Sequence, residues 1–136
     1  MITMNELLKG KTIPSEYTAN FQELFEKINK IREAYGRLML VNSCFRSKDD
    51  QIRVYKQLAV SRGVPFDETT IPWGSAHLKA AAVDIADDTN YTLYNWCVDN
   101  IKVLEEVGLW CETKDDQHRV HFQIYPPKSG SRFFKP

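Results

Sequence analysis

The sequence predicts an α+β fold in which a small antiparallel sheet is flanked by helices. Three stretches repeat apolar residues at helical spacing, and four shorter apolar runs are bounded by turn signals, as strands are. No internal repeat, linker or composition shift divides the 136 residues, so residues 1–136 read as a single domain.

The elements follow in chain order. Residues 16–35 carry Phe21, Leu24, Phe25, Ile28, Ile31 and Tyr35 on one helical face, and Gly36 supplies a stop. Leu38-Met39-Leu40-Val41 is short, apolar and bounded, which suits a buried strand. Ser47-Lys48-Asp49-Asp50 resembles a capping box with Asp in the place of the usual Glu. Ile52, Tyr55, Leu58 and Ala59 continue that helix to Gly63, and Val64 to Ser75, with Pro65, Pro72 and Gly74, reads as a long loop. Ala80 to Ile85 is a strand of small residues, with a helix as the competing assignment. Asp87-Asp88-Thr89-Asn90 caps a helix through Tyr94, Cys97, Ile101 and Leu104 that stops at Gly108. Leu109 to Glu112 and Arg119 to Tyr125 are two strands joined by the polar turn Thr113 to Gln117. Pro126-Pro127 ends the last strand, and the basic tail beyond is a surface segment.

Composition narrows the function classes. The chain is 43% hydrophobic and 26% charged, with 18 Lys+Arg against 18 Asp+Glu. That balance argues against a nucleic-acid surface, which needs a local excess of cations. No apolar run approaches the ~18 residues needed to span a bilayer, so no membrane partner is expected. Met1 to Glu6 has neither a basic start nor a long apolar run, so synthesis in the cytoplasm without a signal peptide is expected. Cys44, Cys97 and Cys111 are too few and too widely spaced for a zinc knuckle or a redox pair, and read as buried free thiols.

Three segments carry chemistry. In Ser75-Ala76-His77-Leu78-Lys79-Ala80-Ala81-Ala82-Val83-Asp84 a histidine and an aspartate flank a run of alanines, which lets backbone pack closely behind a metal. In His118-Arg119-Val120-His121-Phe122-Gln123-Ile124, strand alternation sets Arg119, His121 and Gln123 on one face and Val120, Phe122 and Ile124 on the core face. In Ser43-Cys44-Phe45-Arg46-Ser47 an arginine sits between strand and helix, where its fork can grip a carboxylate. Taken alone, each has a plainer reading: a surface His with an exposed Asp, a hydrogen-bonded sheet histidine, a surface ion pair.

Together and in this order, the three segments resemble the zinc D-alanyl-D-alanine carboxypeptidase superfamily, with its vancomycin-resistance dipeptidases, phage L-alanyl-D-glutamate endolysins and hedgehog signalling domain. The pattern Ser-x-His-x-x-Gly-x-Ala-x-Asp is met by Ser75, His77, Ala80, Ala82 and Asp84, with Ala80 in the place of glycine. Val120-His121-Phe122-Gln123 matches the later histidine strand, and Ser43 to Ser47 matches the upstream Ser-Gly-Tyr-Arg-Ser signature. The ending, Pro126 to Phe134, looks like small phage and prophage members.

The resemblance implies a hedgehog/DD-peptidase-like fold and Zn²⁺ held by His77, Asp84 and His121, with water in the fourth position. It implies hydrolysis of a peptide bond in the peptidoglycan stem, by a carboxypeptidase or endolysin. Arg46 would hold the substrate carboxylate or the developing oxyanion, and Ser75 and Gln123 would help bind the peptide. In the place of the family's acidic base, three residues before the last zinc histidine, stands His118, whose neutral imidazole can serve as the base. Asp116, then Asp115 and Glu112, are the alternative bases. Ala80 costs about 1 kcal/mol if its position needs positive φ. A monomer is expected, reaching the cell wall through a holin or as a virion component. The alternative is a catalytically inactive zinc-binding structural or binding module, such as a virion component.

Overall fold

Burial of one helix face organises the molecule. A computed structural model describes residues 1–136. Helix α2, Thr18–Tyr35, turns Phe21, Leu24, Ile28 and Ile31 inward, and the last three are fully buried. Burying each such side chain contributes about 1.5–3 kcal/mol relative to leaving it exposed. They meet the inner face of a sheet built from β1 (Val41–Ser43), β2 (Ala82–Ala86), β3 (Trp110–Glu112), β4 (Arg119–Gln123) and β5 (Phe133–Phe134). The sheet order is β1-β2-β4-β3-β5, antiparallel throughout except for the parallel pair β3 and β5. The architecture is thus α+β, with a small, mostly antiparallel sheet and flanking helices. No helix is long and apolar enough to cross a membrane.

The remaining helices are α1 (Met4–Leu8), α3 (Lys48–Arg62), α4 (Thr92–Asp99) and α5 (Ile101–Val107). The Ser47 capping box forms: Ser47 Oγ accepts from the Asp50 amide, and an Asp50 carboxylate oxygen accepts from the Ser47 amide, both at 3.1 Å. Asp87 caps α4 by accepting from the amides of Leu93 and Tyr94 at 2.9 and 3.0 Å. At Gly108 the chain takes φ +86° after α5, a backbone conformation that favours glycine.

Four expectations need correction. The first strand lies at Val41–Ser43 rather than residues 38–41, because its ladder partners are Ile85 and Asp84; Leu38 and Leu40 are exposed. The helix through residues 91–107 is broken at Asn100, whose side-chain amide donates to the Trp96 carbonyl at 2.8 Å and competes with the backbone ladder. Helix α1 is an element the sequence reading lacked; a Thr3/Glu6 capping box starts it, and buried Asn29 clamps the Ile2 backbone before it. The tail does not stop at the surface. Phe133–Phe134 adds a fifth strand, with Arg132 stacked 3.8 Å over the Trp110 ring. Cys44, Cys97 and Cys111 are buried free thiols, as the spacing predicts.

Candidate metal centre

Three pieces of backbone aim three side chains at one point. A 3₁₀ turn, Ala76–Lys79, carries His77; Ser75 Oγ accepts from the His77 amide at 3.3 Å, and Ala80 closes the turn at φ +55°. Asp84 is central in β2 and His121 central in β4, and the two are direct partners across the antiparallel pair, so their side chains share one face. The alanines before Asp84 are fully buried and leave room for His77 to turn in. Among exposures, His77 retains 2%, Asp84 2% and His121 5%, and their ligand-type atoms lie within 4.8 Å of one another.

Hydrogen bonding fixes which ring nitrogen faces inward. His77 Nδ1 lies 2.6 Å from the Cys44 carbonyl, which can only accept, so Nδ1 carries the hydrogen. His77 Nε2 then points at Asp84 Oδ1, 3.2 Å away, and is buried without a hydrogen-bond partner. His121 Nε2 lies 2.8 Å from Gln123 Oε1, and Gln123 Nε2 donates to the Tyr125 carbonyl at 2.8 Å, which orients the amide. His121 Nε2 is therefore a donor, and Nδ1 faces Asp84 Oδ1 at 2.9 Å. With both imidazoles neutral, two nitrogen lone pairs and a carboxylate oxygen converge.

The electrostatics answer to this crowding. Burial lowers the His77 pKa despite the neighbouring carboxylate. Burial would raise the Asp84 pKa, but the His77 charge and the His121 hydrogen bond overcome it and hold the carboxyl well below the usual range. Burial opposes charging of His121 too, yet the Asp84 hydrogen bond and charge prevail and raise its pKa.

Two arginines complete the cluster. Arg46 Nη2 reaches Asp84 Oδ2 at 3.2 Å, Nε donates to Ser43 Oγ at 3.1 Å, and Nη1 to buried Gln51 Oε1 at 3.4 Å. Arg119 Nη1 reaches Asp84 Oδ1 at 3.1 Å, and its Nη2 lies 3.4 Å from Asp115 and 3.6 Å from Glu112. Glu112 Oε2 is 3.7 Å from His121 Nε2, and the Phe134 ring stands edge-on to His121 with centroids 6.4 Å apart.

The sequence-predicted residues therefore divide. His77, Asp84 and His121 come together, and Arg46 stands beside them, with its donors engaged inside the protein rather than free. Ser75 supports the His77 turn, and Gln123 orients His121. His118 lies apart: positive φ (51°) turns its ring onto Tyr91, centroids 4.9 Å apart, and no hydrogen bond or ion pair joins it to Asp84 or His121. Asp116 is exposed and makes no ion pair. The strand face gave Arg119, but its contact with Asp84 depends on the β2–β4 register, which no local signal carries.

The donor set fits a borderline divalent cation. Two imidazole nitrogens and one carboxylate oxygen suit zinc, whereas magnesium and calcium prefer all-oxygen sites. The unpartnered, buried His77 Nε2 is the atom that such an ion would satisfy. Gln123 on the far nitrogen of His121 and the Cys44 carbonyl on that of His77 are the outer hydrogen bonds that orient ligating histidines.

No family model matches the chain. It is 30% identical over 112 residues to argininosuccinate lyase of Chlamydomonas reinhardtii, a match that takes in 72% of this chain. The chain spans 22% of the length of that curated relative. Among solved structures it is similar to the L-Ala D-Glu endopeptidase ChiX of Serratia marcescens, with a TM-score of 0.45 and 17% identity, over 86% of this chain and 92% of that one.

Proposed function

We propose that this chain is a zinc-dependent peptidase that hydrolyses a peptide bond in the peptidoglycan stem, as a D-Ala-D-Ala carboxypeptidase or an L-Ala-D-Glu endopeptidase does. The observation that carries the metal is the buried His77 Nε2, without a partner and facing Asp84 and His121. The ordered Ser75–Asp84, Val120–Gln123 and Ser43–Ser47 motifs support the peptidase reading and its hedgehog/DD-peptidase-like fold.

His77 Nε2, Asp84 and His121 Nδ1 would hold the ion. When bound, zinc supplies Lewis acidity and brings the pKa of water down to about 7. Arg46 positions a substrate carboxylate with whichever edge of its fork leaves Ser43 or Gln51, while it keeps Asp84 oriented. Glu112 shares a small cleft with Arg119 and His121, its Oε2 3.7 Å from the His121 nitrogen turned away from the ion, and we assign to it the proton of the attacking water. His118 stacks on Tyr91 and takes no part in that transfer.

One observation favours a second reading, a zinc-stabilised module without turnover. The three ligand residues are at most 5% exposed, and arginines already engage both oxygens of Asp84. Zinc analysis of the purified protein, followed by release of new amino termini from peptidoglycan, separates the readings. Stoichiometric zinc with amine release, lost on chelation and restored by zinc, is the expected result. Zinc uptake with no release leaves the module, and failure to take up zinc ends both.

A further inference from the structure

A cavity of ≈ 250 Å³ lies between α1, β1 and α3. Its lining includes Leu7 and Val54 on the apolar side and four cations, Lys9, Lys11, Arg46 and Arg53. No acidic residue lines it. In a chain whose charges balance, this is a local concentration of cations. Asp50 is the acid that reaches them: its Oδ2 is 3.1 Å from Lys11 Nζ and its Oδ1 3.3 Å from Arg53. One carboxylate is thus shared between two cations. Lys9 forms no ion pair, and Arg46 leans away toward Asp84.

We infer that this cavity binds a small organic carboxylate, with its anionic end among Lys9, Lys11 and Arg53 and its hydrocarbon against Leu7 and Val54. Lys9, Lys11 and Arg53 against the single carboxylate of Asp50 leave a net positive charge beside an apolar wall, which favours such a ligand, since charge-assisted hydrogen bonds to a carboxylate are about twice as strong as neutral ones. A fully hydrated ion would leave the apolar side unused. The cavity reaches the metal centre through Arg46, which lines it and also bonds Asp84 at 3.2 Å. Naming an acidic residue of the stem peptide as its natural occupant rests on the peptidase reading; the chemistry of the cavity does not.

The probe is glutarate, titrated into metal-free protein at low salt while backbone amide shifts are followed by NMR. Saturable shifts are expected at Lys9, Lys11 and Asn42, with none from the neutral diamide glutaramide. The double variant Lys9→Asn, Arg53→Gln should bind glutarate about tenfold more weakly. It is expected to fold, because Lys9 sits in a left-handed conformation (φ 48°) that Asn tolerates and the Arg53 side chain is 58% exposed; an otherwise unchanged amide spectrum checks this. Absence of saturable shifts, equal binding of the diamide, tighter binding of inorganic phosphate, or unchanged affinity in the folded variant would each overturn the inference. None of these results bears on amine release by the zinc-loaded protein, so the two readings fail separately.

Discussion

His77 Nε2 lies 3.2 Å from Asp84 Oδ1, while the opposite nitrogen of the same ring is committed to the Cys44 carbonyl at 2.6 Å. A neutral ring held this way turns a lone pair on a carboxylate, and a charged ring would have to be buried completely. Either state costs free energy that a cation between the two atoms would relieve.

Zinc should raise the thermal midpoint of the protein, by an amount that follows the logarithm of free zinc over Kd, about 2.7 kcal/mol at a hundredfold excess over Kd. The sign of the pH effect follows from the histidines, which must lose their protons to bind metal. His121, with its pKa raised by Asp84, binds its proton above the usual imidazole range, so zinc affinity should fall as pH drops through that raised value. Gln123→Ala frees the His121 ring and should weaken zinc about 10–100-fold in a competition titration. Affinity that is flat with pH, or untouched by this variant, would remove His121 from the ligand set.

Base assignment is open to a paired test. Glu112→Gln should lower peptide turnover by about 10²–10⁴-fold with zinc still bound. His118→Asn should leave turnover within about twofold, since Asn tolerates the positive φ and the ring makes no polar contact with the ligands. The opposite result would return the role to His118.

Arg46→Lys keeps the charge and loses the fork. Lysine cannot serve Ser43, Gln51 and Asp84 together, so turnover should fall more steeply than stability. Stability is read by urea unfolding and turnover by amine release. A variant with full activity would strip Arg46 of its substrate role.

Acid should loosen the start of α3 through Asp50. Burial opposes its ionisation, but the Ser47 amide, Lys11, the Ser47 hydroxyl and Arg53 outweigh that and hold its pKa well below the usual value. A carboxyl lowered on folding stabilises the native state above its unfolded pKa, near 4, and that contribution disappears as pH falls further. Asp50→Asn should therefore lower stability near neutrality and do so by less in acid. Urea midpoints at the two pH values decide it; an equal loss at both would mean that the charge is irrelevant.

What could be read from the sequence was what depends on local spacing. Ser47–Asp50 capping, the Gly36, Gly63 and Gly108 helix ends and the alternation around His121 are each decided within a few residues. His77, Asp84 and His121 were legible because their residue types and order carry the pattern, and Ala80 does take the positive φ that the motif's glycine suggested. Strand pairing was not legible. The shift of β1 to Val41–Ser43, the Arg119–Asp84 contact and the addition of β5 all follow from register between distant segments. Nor does sequence alternation say where a ring goes when φ turns positive, which is why His118 leaves the site.

The strand order also constrains how the molecule can assemble. β4 lies between β2 and β3, yet both are made before it, so neither has its inner neighbour until residues 119–123 arrive. Asp84 stands on β2, and its facing partner His121 is on that late strand. A chain halted before β4 would leave β2 with an open edge and β3 with no partner, and would hold two of the three candidate ligands, the state most exposed to mispairing with other chains. The central sheet and the candidate metal centre should thus mature in one step, a late closure across long loops that places folding on the slow side for this size. Pulse-labelled hydrogen exchange should find β2, β3 and β4 gaining protection together.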